Sequence, residues 1–317
     1  MTVPNISIGI MVCTCERPVM LEACLTSLVG QMTSDTWSLE ICVVENDSEP
    51  RSKAVVDQIA ASAPFPVHYR LEPRRGIPFA RNRTVREALE RGYDWIALID
   101  DDEIAEPGWL QAHMAALHRY AAQVSYGFVD EHFEVLPPAW SKLSPMTPEP
   151  EGKSLTRAST CNVVFSRALI DPANSGLTFN PVFMGGYEDL DFFERAHEAG
   201  HLIISAPQAV VRTTFPASRT TPDRILQSAY AGAAARAQAS YLRHGSARTL
   251  LRFGFSAVRR LVSGSASAGA GLILKPFLTQ QGTNLYYKGR MRLARGLGSL
   301  SGLMHRPSTY YDTVDGT

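Results

Sequence analysis

The chain has 317 residues, 45% of them hydrophobic and 20% charged, with a formal net charge of zero at pH 7. That is enough apolar material for one large domain or two modest ones with a real core, and it excludes a disordered chain. The charge is unevenly placed: from Arg224 to Arg306 there are thirteen Lys and Arg and no Asp or Glu. Such a run suits an anionic partner: nucleic acid, phospholipid headgroups or pyrophosphate.

The first 130 residues alternate strand and helix signals. Apolar runs at Ile6–Cys13, Leu39–Val44, Val67–Leu71, Trp95–Ile99 and Val124–Val129 read as strands. Helix-like stretches lie between them at Val19–Val29, Ser52–Ala60, Thr84–Arg91 and Trp109–Tyr120, the last with Leu110, Met114 and Leu117 at helical spacing. This alternation predicts an α/β fold, a Rossmann-like, mostly parallel sheet flanked by helices. Ligands of such sheets bind at the carboxyl ends of the strands. Polar residues collect there: Thr14 and Arg17 after the first strand, Glu45-Asn46-Asp47 after the second, and Asp100–Glu103 after the fourth.

Further along, a proline-rich stretch from Leu136 to Lys153 reads as a surface loop. Cys161–Phe165 and Leu202–Ile204 read as strands, and Leu190–Ala199 as a helix opened by Glu188-Asp189. Acids in a first helical turn are also favoured by the helix dipole alone. After Pro222 the pattern is helical to the end, and no internal repeat is evident.

Five cysteines (Cys13, Cys15, Cys24, Cys42, Cys161) in or beside apolar runs read as free thiols of a reducing compartment. Cys13-x-Cys15 matches no common zinc or redox pattern. The apolar start Ile6–Val12 is too short for a signal peptide, and Leu261–Leu274 falls short of the roughly 20 apolar residues of a spanning helix. The expected location is therefore cytoplasmic, with peripheral contact at the inner face of the plasma membrane. Phosphate-binding Gly-rich loops of the P-loop and dinucleotide types are absent.

The segment LIDDDEIAEPGWL (98–110) raises the chemical question. Crowded carboxylates repel one another, and each costs free energy where water is scarce. Such clusters bind hard divalent cations, Mg²⁺ or Mn²⁺, which bridge phosphates and neutralise charge on a leaving group.

The ordered motifs CTCERP (13–18), VVENDS (43–48), RRGIPFARN (74–82), IDDDE (99–103), TCNVVFSR (160–167), GGYEDLDFFER (185–195) and FPASR (215–219) carry a resemblance. The chain resembles a family 2 glycosyltransferase of the GT-A fold, most closely the bacterial succinoglycan-type exopolysaccharide branch, from about Ile6 to Arg219. The resemblance implies a catalytic domain over residues 1–221, and the helical pattern after it reads as a basic extension over 222–317, a candidate membrane-association region. It implies that Thr14, Arg17, Glu45, Arg81, Asp100 and Asp101 bind the nucleotide-sugar donor, with Asn82 facing it. Asp102 and Asp100 would hold the Mg²⁺ or Mn²⁺, Asp189 would be the general base, and Gly186 and Glu188 would lie on the acceptor side.

Three departures stand out. Glu45 replaces an Asp that reads the base edge. Thr213 stands where a His or Glu often completes the metal shell, and Tyr187 is inserted in the Gly-Gly-Glu-Asp pattern. Trp109 reads as packing, and Cys161 and Asn162 as strand-end structure. The implied activity is inverting transfer of a sugar, from a UDP-sugar, to a saccharide or lipid-linked acceptor. The alternatives are a metal-dependent nucleotidyltransferase and a non-catalytic nucleotide-sugar-binding protein. In the tail, Leu250, Leu251, Phe253, Phe255 and Val258 interleave with Arg248, Arg252, Arg259 and Arg260, and Tyr286, Tyr287, Lys288, Arg290 and Arg292 form a later group. Basic helices of this kind lie on anionic membranes; the alternative is that they pack on the catalytic domain and leave their arginines exposed. No stacking-sheet motif accompanies them, so no nucleic acid is expected.

Overall fold

A computed structural model describes residues 5–141 and 143–304. Every strand and helix expected in the first 130 residues is present. Strands β1 (Ile6–Thr14), β2 (Trp37–Glu45), β3 (Val67–Leu71) and β4 (Trp95–Asp100) lie parallel in the order β3-β2-β1-β4. Helices α1 (Pro18–Val29), α2 (Lys53–Ala60) and α3 (Ile77–Arg91) make the connections. α3 starts seven residues before the apolar period does. Pro78 sits in its first turn, where the missing N–H costs nothing, so Arg81 and Asn82 are helical.

The sheet continues with β5 (Glu103–Ala105), β6 (Val124–Phe133), β7 (Ser154–Leu155), β8 (Asn162–Ser166) and β9 (Ile203–Phe215); α4 (Trp109–Tyr120) and α5 (Glu188–Glu198) complete the layers. The full order is β3-β2-β1-β4-β8-β6-β9-β5, with β7 beside β9. Here the parallel expectation fails in part. β8 is antiparallel to both β4 and β6, and β5 and β7 are antiparallel to β9. Parallel pairing needs a crossover that returns the chain to the same edge; the described residues of the proline-rich loop contain no helix, and the loop delivers β8 in the opposite sense. β9 is also far longer than its apolar run. Its register against β6 jumps from Gly127↔Ala206 to Phe128↔Val210, and Pro207 falls in that irregularity, a position that tolerates a missing ladder donor.

Side chains alternate across the sheet. Ile8, Ile10 and Val12 of β1 join Leu21 and Leu25 of α1 and Trp109 and Leu110 of α4 on one face, while Met11, Cys42 and Leu98 meet Ala80 and Ala88 of α3 and Phe192 and Phe193 of α5 on the other. Within this core Asn162 satisfies its whole amide. Its Oδ1 accepts from Trp109 Nε1 (2.7 Å) and lies 2.9 Å from His113 Nε2, and its Nδ2 donates to the carbonyls of Phe128 and Ala209. One side chain thus ties β8 to β6, β9 and α4, and Trp109 is packing, as read from the sequence. Gly127 leaves the room: a Cβ there would stand 2.4 Å from Asn162 Nδ2.

Beyond Pro222 come α6 (Pro222–His244), α7 (Ser246–Thr249), α8 (Phe255–Leu274) and α9 (Thr279–Leu303); residues 305–317 of the expected extension lie outside the described residues. The helices contain a short repeat that the sequence reading passed over. Gly264 and Gly271 of α8 face α9, whose Gly282, Gly289 and Gly296 recur every seven residues and face α8 or the turn after it. A Cβ at Gly289 would lie 2.4 Å from the backbone nitrogen of Ala268. The backbones are therefore nearly in contact, which only small residues permit. The layer meets the sheet domain where Trp140 stacks on Tyr287 at 4.6 Å, beside Ile225, Leu226 and Met291. Tyr287 therefore faces inward rather than toward a membrane.

Replacing Gly289 by Val should force the hairpin apart and cost about 1–3 kcal/mol. Thermal unfolding should show the loss, and the exposed Gly269→Ala control should not.

Candidate active site

Three arginines from three segments meet the acids at the end of β4. Asp101 is 5% exposed; its Oδ2 accepts from Thr14 Oγ1 (2.7 Å) and its Oδ1 from Arg17 Nη1 (3.1 Å). Asp102 Oδ2 lies 3.4 Å from Arg17 Nη1 and 3.3 Å from Arg219 Nη2. Asp100 Oδ1 is 3.5 Å from Arg81 Nη2. The counter-charge sought in the sequence is thus supplied in part by the chain itself. Glu103, wholly enclosed behind them, accepts from the Asp100 backbone N–H, and burial holds its carboxyl well above the ordinary range. Burial also raises Asp101, against the pull of Arg17. In the crevice Asp100 rises to about 6, by desolvation first, with Arg81 opposing and Asp102 adding.

Opposite this cluster, α5 opens on Glu188 and Asp189. The residue before them, Tyr187, has φ 89°, a left-handed conformation that a bulky side chain adopts only when its surroundings enforce it. Its hydroxyl donates to Glu194 two turns on. Glu188 is buried, with Oε1 3.2 Å from Arg81 Nη1, and desolvation lifts it from 4.5 to about 7. Asp189 is half-buried; its Oδ2 accepts from Ser159 Oγ (2.6 Å) and its Oδ1 from the Leu190 N–H (2.7 Å). Arg81 is the link, its guanidinium lying between Asp100 and Glu188. Gly186, buried at φ 96°, turns the chain into this helix.

Two expected donor contacts are placed otherwise. Glu45 is fully buried and does not offer a free edge to a base: Oε1 accepts from Ser52 N–H (2.9 Å) and Ser52 Oγ (2.7 Å), and Oε2 accepts from Tyr69 O–H. The carboxylate that looked like a ligand group orders the start of α2. Asn82 brackets the backbone of Phe179, donating to its carbonyl (2.7 Å) and accepting from its N–H (2.9 Å). Thr213 lies beside the acids, with Oγ1 donating to the Asp102 carbonyl at 3.3 Å. Ser159 and Arg219 were not singled out as site residues. Arg219 stood in the FPASR motif and could have been; nothing around Ser159 marked it.

Asp102 alone of the three aspartates also lines a cavity of about 460 Å³, together with Met20 and Ala23 of α1, Asp130 and His132 of β6, and Arg212 of β9. That volume is in the range of small-ligand pockets.

Two comparisons bear on this arrangement. The family model described as "Glycosyl transferase family 2" matches residues 9–172. The succinoglycan biosynthesis protein ExoM of Rhizobium meliloti (strain 1021) is 30% identical over 224 residues, 69% of this chain and 71% of that protein. The chain belongs to glycosyltransferase family 2. Solved structures agree on the GT-A-like fold. Mannosyltransferase PcManGT from Pyrobaculum calidifontis, in complex with GDP-Man and Mn²⁺, gives a TM-score of 0.56 at 16% identity, covering 92% of this chain and 86% of that one. TarS 1-349 of S. aureus gives 0.52 at 14% identity, covering 93% and 91%.

For this glycosyltransferase the acids can be tested against a metal. Among the described residues, no three His, Cys, Asp or Glu side chains converge to cage an ion. An Mg²⁺ held by one or two carboxylates plus substrate phosphates needs no cage. Asp100 and Asp102 are hard oxygen donors of that kind, and an ion on Asp102 would displace Arg17 and Arg219. The residues fit a phosphate-bridged ion and not a protein-enclosed one.

The buried Glu188 generates a pH prediction. The folded state keeps a proton there that the unfolded chain releases, so this group's contribution to stability is full below pH 4.5 and is lost as pH rises toward 7. Melting temperatures measured across that window should fall less steeply for Glu188→Gln than for the parent. Equal slopes would show that burial does not raise the Glu188 carboxyl.

Proposed function

We propose that the enzyme transfers a sugar, with inversion, from a nucleotide-diphospho-sugar, taken as a UDP-sugar, to a saccharide or lipid-linked saccharide acceptor in surface polysaccharide synthesis. The observation that carries the reading is the separation of roles across Arg81. The β4 acids and their arginines form one wall, and Asp189, on a different segment, is near enough to act electrostatically on both Arg81 and Asp100, with its carboxylate oriented by Ser159. The name of the relative from Rhizobium meliloti supports the polysaccharide role, and the GDP-Man and Mn²⁺ of the mannosyltransferase support a nucleotide-sugar donor and a divalent ion.

In this reading Asp189 accepts the proton of an acceptor hydroxyl as its oxygen attacks the anomeric carbon. The bond from that carbon to the diphosphate breaks on the opposite face, so one displacement inverts the centre. Arg17, Arg219 and Arg81 are the groups that meet the departing negative charge, since guanidinium suits phosphate geometry. Mg²⁺ or Mn²⁺ held by Asp102 and Asp100 would supply Lewis-acid neutralisation of the same diphosphate. Glu188, enclosed with Arg81, holds that guanidinium rather than acting as base. With Glu45 occupied by Ser52 and Tyr69, the base edge is read by other groups, and a screen of UDP- and GDP-sugars decides the nucleotide. Contact with the cytoplasmic face of an anionic membrane is peripheral in this reading; no described helix is long and apolar enough to cross one.

Asp189→Asn keeps the side chain's shape and removes its basicity. Turnover should fall by about 10²–10⁴ with donor affinity unchanged, and Glu188→Gln should cost less. Near-normal turnover in Asp189→Asn, or a parent product with retained configuration, would overturn the assignment.

Asp102→Asn exchanges a charged ligand for a neutral one and should abolish the divalent-dependent part of donor binding in calorimetric titration. Unchanged metal dependence would move the ion elsewhere.

A further inference from the structure

The two faces of α8 are built for different neighbours. Gly264 and Gly271 seat one face against α9. The other presents Phe255, Val258, Val262 and Ile273, continued by Leu251 in the π-helical turn Leu250–Gly254 before it and by Phe277 in the turn after it, each between 57 and 82% exposed. Within α8 the spacings of three, four and eleven residues keep Phe255, Val258, Val262 and Ile273 on one side of the rod, with the small residues Ser265, Ala266 and Gly269 exposed between. Within α8, from Phe255 to Ile273, the stripe extends roughly 27 Å at 1.5 Å per residue. An exposed apolar surface of this length marks an interaction site.

Charge selects the occupant. Arg248, Arg252 and Arg259 are exposed along the same stretch, and no Asp or Glu occurs between Arg224 and Arg306. A second copy packed stripe to stripe would set these cations against their counterparts, with no carboxylate between Arg224 and Arg306 of either copy to pair them. An anionic bilayer offers both things required: acyl chains for the apolar row and phosphates for its basic flank. We infer that α8 lies flat in the interface of an anionic membrane, its Leu251–Phe277 face buried among the lipids. This gives the proposed membrane contact its surface and rests on that part of the functional reading, not on the transfer chemistry.

The layer's attachment adds a consequence. Arg243, at the end of α6, ion-pairs with Asp191 (3.0 Å) and with Glu194 of α5, the helix that carries Asp189. A docked extension would therefore hold the catalytic helix at a set height above the lipid surface, where a lipid-linked acceptor presents its saccharide.

The test uses the full chain and sedimentation with phosphatidylcholine vesicles, with and without phosphatidylglycerol. The parent should bind the mixed vesicles, and salt should weaken the binding without abolishing it, because only the headgroup attraction is screened. Combining Phe255→Gln, Val262→Gln, Ile273→Gln and Phe277→Gln should reduce partitioning by at least about tenfold. Melting temperature and transfer to a soluble acceptor should stay unchanged, since these side chains are exposed and remote from the crevice. Arg252→Gln with Arg259→Gln should remove the preference for phosphatidylglycerol. A Phe277→Trp variant should shift its emission to the blue on vesicle addition. Equal partitioning of parent and quadruple variant, no binding to either vesicle, or a solution dimer that the quadruple variant abolishes would each overturn the inference. Soluble-acceptor turnover separates these outcomes from failure of the transfer assignment.

Discussion

The crevice depends on the Arg81 guanidinium standing between Asp100 at the end of β4 and Glu188 at the start of α5. Burying a cation costs several kcal/mol unless partners compensate it, and here two carboxylates from different elements do so. Asp100, Asp189 and Glu188 all act to keep Arg81 charged. The same contact fixes the distance between the sheet end and α5, so the donor wall and the base segment are set against one another by one ion-paired side chain. Loss of Arg81 would leave like charges facing each other across a dry space.

Supports behind the crevice follow the same logic of full satisfaction. Glu45 closes its hydrogen bonds on Ser52 and Tyr69, and Asn162 closes its own on three elements of the core. Polar groups buried this completely rigidify what they touch. The strands that end at the crevice therefore arrive at fixed heights, and the strained Tyr187 backbone can persist because α5 is held on both sides, by Arg81 and by Arg243. The helical layer is part of that frame. Its glycines bring α8 and α9 nearly into backbone contact, which turns the bulky side chains of α8 outward.

Much of this was legible in the chain. The alternating runs located β1 to β4 and their helices because a buried parallel strand is a continuous apolar run. The acid run at 100–102, the GGYED turn and the basic tail were visible as composition. The length of β9 and the antiparallel placing of β8 were not, because pairing partners lie far apart in sequence and Pro207 masks the strand at its bulge.

The sequence by itself determined the layered α/β body, the family and the acids that crowd one strand end, because local periodicity and ordered motifs are written residue by residue. Only the tertiary structure decided what each charged group does. Glu45 and Asp100 look alike in the chain, yet one is spent on the start of a helix and the other faces Arg81 in the crevice. Arg17, Arg81 and Arg219 are spread over two hundred residues of chain and become one cationic shell only when the end of β1, α3 and the end of β9 converge. Partners that distant leave no mark on local pattern; charge compensation in a low-dielectric space is a property of the folded arrangement.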